Sequence, residues 1–128
     1  MRRSVRTDGA PRPVGPYSQG VLAGDLLFVS GQLGLDPSTS ELVPGGIGAE
    51  AGRCMENIKA VLAQAGLAMG DVIKTSIYLT DLASFKEVNR VYASYFAYDP
   101  PARTTVGVAT LPMGARVEIE AVALRPQA

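Results

Sequence analysis

The strongest constraint on the fold is an alternating pattern in residues 117–124, Val-Glu-Ile-Glu-Ala-Val-Ala-Leu. Every second residue from Val117 is apolar, which is the period of a β-strand with one face on a core. The other face is mixed, because Glu118 and Glu120 come before two further apolar residues. Residues 101–106, Pro-Ala-Arg-Thr-Thr-Val, predict an earlier strand, which we expect to be joined to the later one by a tight Pro-Met-Gly turn.

A charged side chain stands at the head of the earlier strand. Arg103 is in phase with Thr105 and Gly107. If the two strands lie near each other, this guanidinium and a carboxylate can share a pocket suited to a small molecule with a carboxylate and a polarised carbon. Two simpler interpretations stay open at this point. Alternating acidic residues commonly form a solvated face, and an arginine at a strand start is commonly part of a surface ion pair that adds little stability.

The composition of the chain excludes several kinds of catalytic site. There is no histidine, which excludes Ser-His-Asp and Cys-His catalysis and removes the commonest transition-metal ligand. The one cysteine, Cys54, cannot form an intrachain disulfide, and its place on the apolar stripe of a predicted helix is typical of a core residue. Catalysis therefore has to use carboxylates, arginine, tyrosine, lysine, hydroxyl or backbone groups, and we predict no metal site.

Length and charge narrow the class of protein. The 128 residues are enough for one domain with a core, so we predict a single domain, with residues 1–12 as an N-terminal arm and the folded motif from about residue 13. Twelve basic residues balance twelve acidic ones, which indicates no basic face for nucleic acid. No apolar run is typical of a secretory signal or a membrane span, and we expect a cytoplasmic protein without a membrane partner.

The remaining segments alternate between strand and helix patterns. The predicted elements are a hairpin (residues 21–23 and 26–32), a helix (49–65), a strand (71–79), a second helix (85–96) and the two strands described above. This order predicts an α+β fold, with one mostly β sheet and two helices on one face. Because no third helix is available, self-association with the sheet faces inward is the economical way to cover the other face.

Two short segments add candidate contacts to a ligand. Two prolines bracket a glycine in residues 13–16 and fix the position of Tyr17. Ser30 and Gly31 end the second strand of the hairpin, where they could present a hydroxyl and a backbone N–H to a ligand. An ordinary strand-end glycine is the simpler alternative.

Six segments, taken in order, resemble the RidA (YjgF) family of reactive intermediate deaminases. They are residues 15–19 (Gly-Pro-Tyr-Ser-Gln), 29–32 (Val-Ser-Gly-Gln), 57–62 (Asn-Ile-Lys-Ala-Val-Leu), 72–75 (Val-Ile-Lys-Thr), 101–103 (Pro-Ala-Arg) and 117–123 (Val-Glu-Ile-Glu-Ala-Val-Ala). The resemblance implies a chorismate-mutase-like α+β fold and a homotrimer, in which three sheets form a central barrel with an active site in each cleft between subunits. It also implies hydrolysis of enamines and imines, such as 2-aminoacrylate, to 2-keto acids and ammonia without a cofactor.

The resemblance also implies roles for individual residues. Arg103 matches the family's anchor for the substrate carboxylate, and Glu118 matches the residue that positions or activates water. The residues implied to line the cleft are Tyr17, Ser30, Gly31, Asn89 and Thr105. Arginine suits its role because its planar guanidinium binds a carboxylate through two hydrogen bonds. A protonated imine carbon is electrophilic, so a positioned water and one carboxylate for proton transfer suffice.

The chain departs from the family pattern at two positions. Thr105 stands where many members have cysteine, and Gly107 stands where several have glutamate or glutamine. We expect the missing side chain at Gly107 to widen the pocket. Of the two carboxylates, we assign water handling to Glu118 and expect Glu120 to form a structural ion pair or hydrogen bonds with threonines such as Thr105 or Thr75.

Two other functions stay open for such a chain. One is a non-catalytic trimer that binds small carboxylates in the same cleft. The presence of both Arg103 and Glu118 argues against it, since binding alone needs only the arginine. The other is a deaminase of a catabolic enamine such as 2-aminomuconate.

Overall fold

The computed structural model describes residues 2–127, which form one six-stranded mixed sheet and two α-helices. The elements are β1 (Arg2–Val5), β2 (Gly20–Ala23), β3 (Leu26–Leu33), α1 (Ile47–Gln64), β4 (Val72–Leu79), α2 (Phe85–Ala93), β5 (Ala102–Gly107) and β6 (Val117–Leu124). Across the sheet the order is β1-β2-β3-β6-β4-β5. The alternating strand β6 is thus hydrogen-bonded on both sides, antiparallel to β3 and to β4.

Both predicted helices are confirmed, with small differences at their ends. The apolar side of α1 is buried against β3 and β6, and Gly66 follows the helix at φ +78°, a left-handed conformation that favours glycine. Cys54 lies on this buried side, as predicted, and burial raises the pKa of its thiol. Neither helix of residues 2–127 is long and apolar enough to cross a membrane.

The two faces of the sheet differ as the alternation in β6 predicts. Its residues Val117 and Ile119 are fully buried in the core beneath the helices, whereas Glu118 and Glu120 point to the other face. That second face, called here the open face, also carries large apolar side chains at its strands. Phe28 is 46% exposed there. The prediction of one sheet with two helices on one face is therefore confirmed.

The predicted pairing of the last two strands is wrong. β4 lies between β5 and β6, and it runs parallel to β5. The helix α2 connects β4 to β5, and a strand–helix–strand connection of this kind favours parallel neighbours. Residues Pro112–Gly114 form a short 3-10 turn that carries the chain past β4 to the middle of the sheet, with Met113 and Gly114 at positive φ.

The N-terminal segment is more closely attached than the predicted arm. Residues Arg2–Val5 form an edge strand on β2, which the sequence analysis did not predict. Gln19 then holds the following segment, because its side-chain amide donates to the carbonyl oxygens of Thr7 (3.0 Å), Ala10 (3.2 Å) and Pro11 (2.9 Å). Exposed arginines on β1 are typical of an edge strand protected against pairing with another sheet.

Candidate active site

The side chain of Arg103 lies on the helix face of the sheet, under α2. Its Nη1 donates a hydrogen bond of 2.6 Å to Oδ1 of Asn89. Its guanidinium carbon is 4.9 Å from the ring centroid of Tyr92 and 5.4 Å from that of Phe85. Such stacking on aromatic rings favours arginine over lysine. The family resemblance implies that Asn89 lines the cleft, and the structure brings Asn89 and Arg103 together.

The two positions where the chain departs from the family pattern follow Arg103 on the same face. The hydroxyl oxygen of Thr105 is buried and has no hydrogen-bond partner among residues 2–127. At Gly107, a Cβ would lie 3.0 Å from Cγ of Leu82. Leu82 therefore packs next to Gly107 within this chain.

The other candidate residues lie at a bulge in β3. Val29 pairs with Ala121 of β6 and Gln32 pairs with Ile119, so Ser30 and Gly31 together stand opposite one residue. Bulges of this kind redirect side chains and often occur beside active sites. The Ser30 hydroxyl donates a hydrogen bond of 2.6 Å to the carbonyl oxygen of Ser18 and so ties the bulge to the segment that carries Tyr17.

Gly31 allows a close approach of the catalytic candidate Glu118. A Cβ at position 31 would lie 2.5 Å from Oε2 of Glu118 and 2.8 Å from its Cδ. A side chain at this position would displace the carboxylate. The glycine therefore allows the observed position of Glu118, and its own backbone, which is not left-handed, does not require glycine.

The two carboxylates of β6 lie on the open face but have different surroundings. Burial, followed by the charge of Glu120, raises the pKa of Glu118 above the usual range of a glutamate. Oε2 of Glu120 accepts a hydrogen bond of 2.8 Å from the hydroxyl of Tyr78. The threonine partners expected for Glu120 are therefore wrong, and Thr75 is instead bonded to Tyr92.

A shallow pocket of about 390 Å³ joins these residues on the open face. Its lining consists of Val14, Tyr17, Ser30, Gly31, Leu33, Pro112, Glu118 and Glu120. The hydroxyl of Tyr17 accepts a hydrogen bond of 3.3 Å from the Val14 N–H, which fixes the ring at the rim. Apolar walls with a few convergent polar groups are typical of small-molecule sites.

Within one chain, Arg103 and Glu118 do not share a pocket. Arg103 of β5 pairs with Thr75 of β4, which in turn pairs with Ala121 of β6. Thr75 and Ala121 are both buried under the helices, so Arg103 lies on the same face as they do. Glu118 is an odd number of residues from Ala121, so it points to the opposite face of the sheet. The two strands are also separated by two strand spacings, about 10 Å. The sequence-based prediction of one shared pocket on neighbouring strands is wrong for a single chain.

Sequence reasoning missed an ion pair at the start of β6. Glu50 of α1 is fully buried, and its carboxylate accepts hydrogen bonds from the backbone N–H of Arg116 (2.9 Å) and from Nη1 of the same residue (2.6 Å). The pair fixes the start of β6 to α1. A Cβ at Gly34 would lie 2.6 Å from Cα of Glu50, so the loop after β3 also packs closely on this point.

No set of three or more cysteine or acidic side chains in residues 2–127 is arranged to hold a metal ion. A guanidinium such as that of Arg103 can bind a carboxylate, and a carboxylate such as that of Glu118 can transfer a proton.

Comparison with known proteins identifies the family. The family model described as "Endoribonuclease L-PSP" matches residues 7–125. Protein DfrA of Myxococcus xanthus is 51% identical over 96% of this chain and 95% of its own length. The human 2-iminobutanoate/2-iminopropanoate deaminase is 44% identical over 98% of this chain and 91% of its own length. The crystal structure of RidA from the Antarctic bacterium Psychrobacter has a TM-score of 0.93 and 44% identity, and the match covers 95% of this chain and 98% of that one. With a family model that spans nearly its whole length and relatives of this similarity, the chain belongs to the RidA family.

Proposed function

We propose that this protein hydrolyses 2-imino acids, and the enamines in equilibrium with them, to 2-keto acids and ammonia. The observation that carries the proposal is the state of Arg103: its guanidinium is held on aromatic rings and by Asn89, with donors left over for a carboxylate. The name of the human relative, a 2-iminobutanoate/2-iminopropanoate deaminase, supports the same chemistry.

The proposed reaction needs one water and three proton transfers. Water adds to the carbon of the protonated imine, and Glu118 accepts a proton from that water as the C–O bond forms. Glu118 then returns this proton to the nitrogen of the carbinolamine, and the C–N bond breaks to release ammonia. The hydroxyl group gives its proton to the freed carboxylate of Glu118 as the C–O bond becomes the keto group, and this proton leaves with ammonia as ammonium. A raised pKa suits these steps, because it makes the carboxylate of Glu118 a stronger base than that of an ordinary glutamate.

The proposed site is completed by a second copy of the chain. Because Arg103 and Glu118 lie on opposite faces of one sheet, we infer that Arg103 of one copy faces Glu118 of its neighbour, in a homotrimer with a site in each of three clefts. The apolar side chains of the open face support association: Phe28, Val106 and Leu124 are each at least 40% exposed.

The direct test is to generate 2-aminoacrylate or 2-iminobutanoate enzymatically, in the presence of this protein, and to measure keto acid and ammonia. We expect faster release than in the uncatalysed reaction. A protein that binds 2-oxobutanoate but does not accelerate release would support the non-catalytic carboxylate-binding function instead. Acceleration with 2-aminomuconate alone would support the catabolic alternative.

Co-expression of two inactive variants tests the shared site. Neither Arg103→Ala nor Glu118→Gln should be active by itself. In mixed trimers with equal amounts of both, about one quarter of the clefts receive both wild-type residues, which should restore about a quarter of the wild-type activity. A mixture without activity, from variants that both fold and assemble, would contradict a site made by two copies.

A further inference from the structure

A buried polar pair lies directly behind the Arg103 side chain. The hydroxyls of Thr75 and Tyr92 are 2.6 Å apart, and these residues are only 1% and 6% exposed. Their surroundings are the apolar core between the sheet and α2. A phenylalanine and a valine would fill the same space without any polar atoms, so packing alone does not require the two hydroxyls.

Both residues of this pair border Arg103. Thr75 is the direct neighbour of Arg103 across the β4–β5 pairing, and Tyr92 supplies the ring nearest to the guanidinium, at 4.9 Å. The hydrogen bond therefore fixes the ring relative to β4, the strand that pairs with the one carrying the arginine. Asn89, one turn earlier on α2, holds Nη1 from the other side.

An arginine side chain has many rotamers, and freezing them on ligand binding opposes binding. Contacts that hold the guanidinium before the ligand arrives remove part of that cost. A ring that can rock about its Cβ would hold it less well than a ring tied at its hydroxyl end.

We propose that Tyr92 and Thr75 are positioning residues for the carboxylate anchor, and that their hydrogen bond orients Arg103 for a 2-keto or 2-imino carboxylate. This inference rests on the proposed carboxylate role of Arg103 but not on hydrolysis. Neither residue touches the ligand in this assignment.

The test is the dissociation constant of 2-oxobutanoate, measured by calorimetry on the assembled protein. The variant Tyr92→Phe keeps the ring and removes only the hydroxyl, and Thr75→Val removes its partner. Loss of one hydrogen bond typically corresponds to a factor of about 2 to 12 in an equilibrium constant, and we expect Kd to rise by a factor in that range for each variant. The double variant should bind no more weakly than either single one, because both remove the same bond.

Tyr95→Phe, in the turn directly after α2, is the matched control. Its hydroxyl is bonded to Glu56 of α1, away from Arg103, and so its removal also deletes one hydrogen bond. We expect this control to lower the free energy of unfolding without changing Kd. Where hydrolysis can be measured, Tyr92→Phe should raise KM and leave kcat nearly unchanged, which a general loss of stability would not produce.

The outcomes separate this inference from the proposed function. Weaker binding in Tyr92→Phe but not in Tyr95→Phe supports the positioning role, even if no imine is hydrolysed. Equal binding by Tyr92→Phe and the wild type overturns it, even if hydrolysis is confirmed. If the wild-type protein binds no 2-oxobutanoate at any concentration that calorimetry can reach, both the positioning role and the proposed carboxylate-binding role of Arg103 are overturned.

Discussion

Replacing Gly31 with alanine should remove activity while leaving the fold intact. The new Cβ would lie 2.5 Å from Oε2 of Glu118, whereas ordinary contact begins at 3.4 Å, so the carboxylate has to move by about 0.9 Å. A displacement of about 1 Å of a reacting group can cost about 100-fold in rate. We therefore expect kcat for imine hydrolysis to fall by about two orders of magnitude.

The stability of Gly31→Ala should change little. The atoms that have to move belong to a side chain, and the φ of Gly31 is open to alanine, so we expect a change below about 1 kcal/mol in the free energy of unfolding. Binding of 2-oxobutanoate should persist, since Arg103 is unchanged.

Two other glycines serve as controls for this experiment. A Cβ at Gly70 meets no heavy atom within 4 Å, so Gly70→Ala should keep both activity and stability. A Cβ at Gly34 meets the backbone of Glu50 at 2.6 Å, so Gly34→Ala should lose stability first. A folded Gly31→Ala variant that hydrolyses the imine at nearly the wild-type rate would contradict this reasoning. The position of Glu118 would then not limit the reaction, and its assignment as the proton-transfer group would be wrong.

Three further predictions concern the carboxylates. The raised pKa of Glu118 means that, as the pH falls, its ionised form is lost at a higher pH than for an ordinary glutamate. The ratio of kcat/KM for the wild type to kcat/KM for Glu118→Gln should therefore rise with pH through that pKa. A ratio that does not change with pH would contradict the role of Glu118 as the proton acceptor. Glu120→Gln should retain most turnover, and its free energy of unfolding should fall by about 1 kcal/mol because the hydrogen bond from Tyr78 is weakened. If the folded variant instead loses its turnover, Glu120 and not Glu118 is the proton-transfer group. Glu50→Gln should lower the free energy of unfolding, measured with urea, by about 1–3 kcal/mol. This is less than for a fully buried ion pair, because Arg116 is 59% exposed and water can hydrate it after the change. An unchanged urea midpoint would show that the ion pair adds no stability.

Local patterns predicted the elements of this fold well. The alternation in residues 117–124 predicted β6, and the apolar stripe that ends at Gly66 predicted α1. Both predictions worked because each element buries one face, and the period of its apolar residues is that of a strand or of a helix. β1 was missed because three of its four residues are polar, exposed and at an edge, so its sequence carries no burial pattern.

Pairing between distant segments could not be predicted in the same way. A proline and a glycine between two strand patterns indicate a turn, but they do not say whether a third strand lies between the two strands. The pair Glu50–Arg116 joins residues 66 positions apart, and nothing local to either marks the other as its partner. For the candidate site, the family resemblance named Arg103 and Glu118 as residues of one cleft. The strand pairing puts these two side chains on opposite faces of the sheet, which no local pattern indicates.

The position of β6 has a consequence for how the chain acquires its structure. β6 follows every other strand in the chain, yet it separates β3 from β4. While the chain is being synthesised, β3 and β4 each lack their shared partner, and the sheet exists only as two fragments with open edges. Folding of the core therefore waits for the last strand, and contacts between distant segments of this kind slow folding. A nascent chain that stalls before residue 117 is consequently a substrate for chaperones or for aggregation.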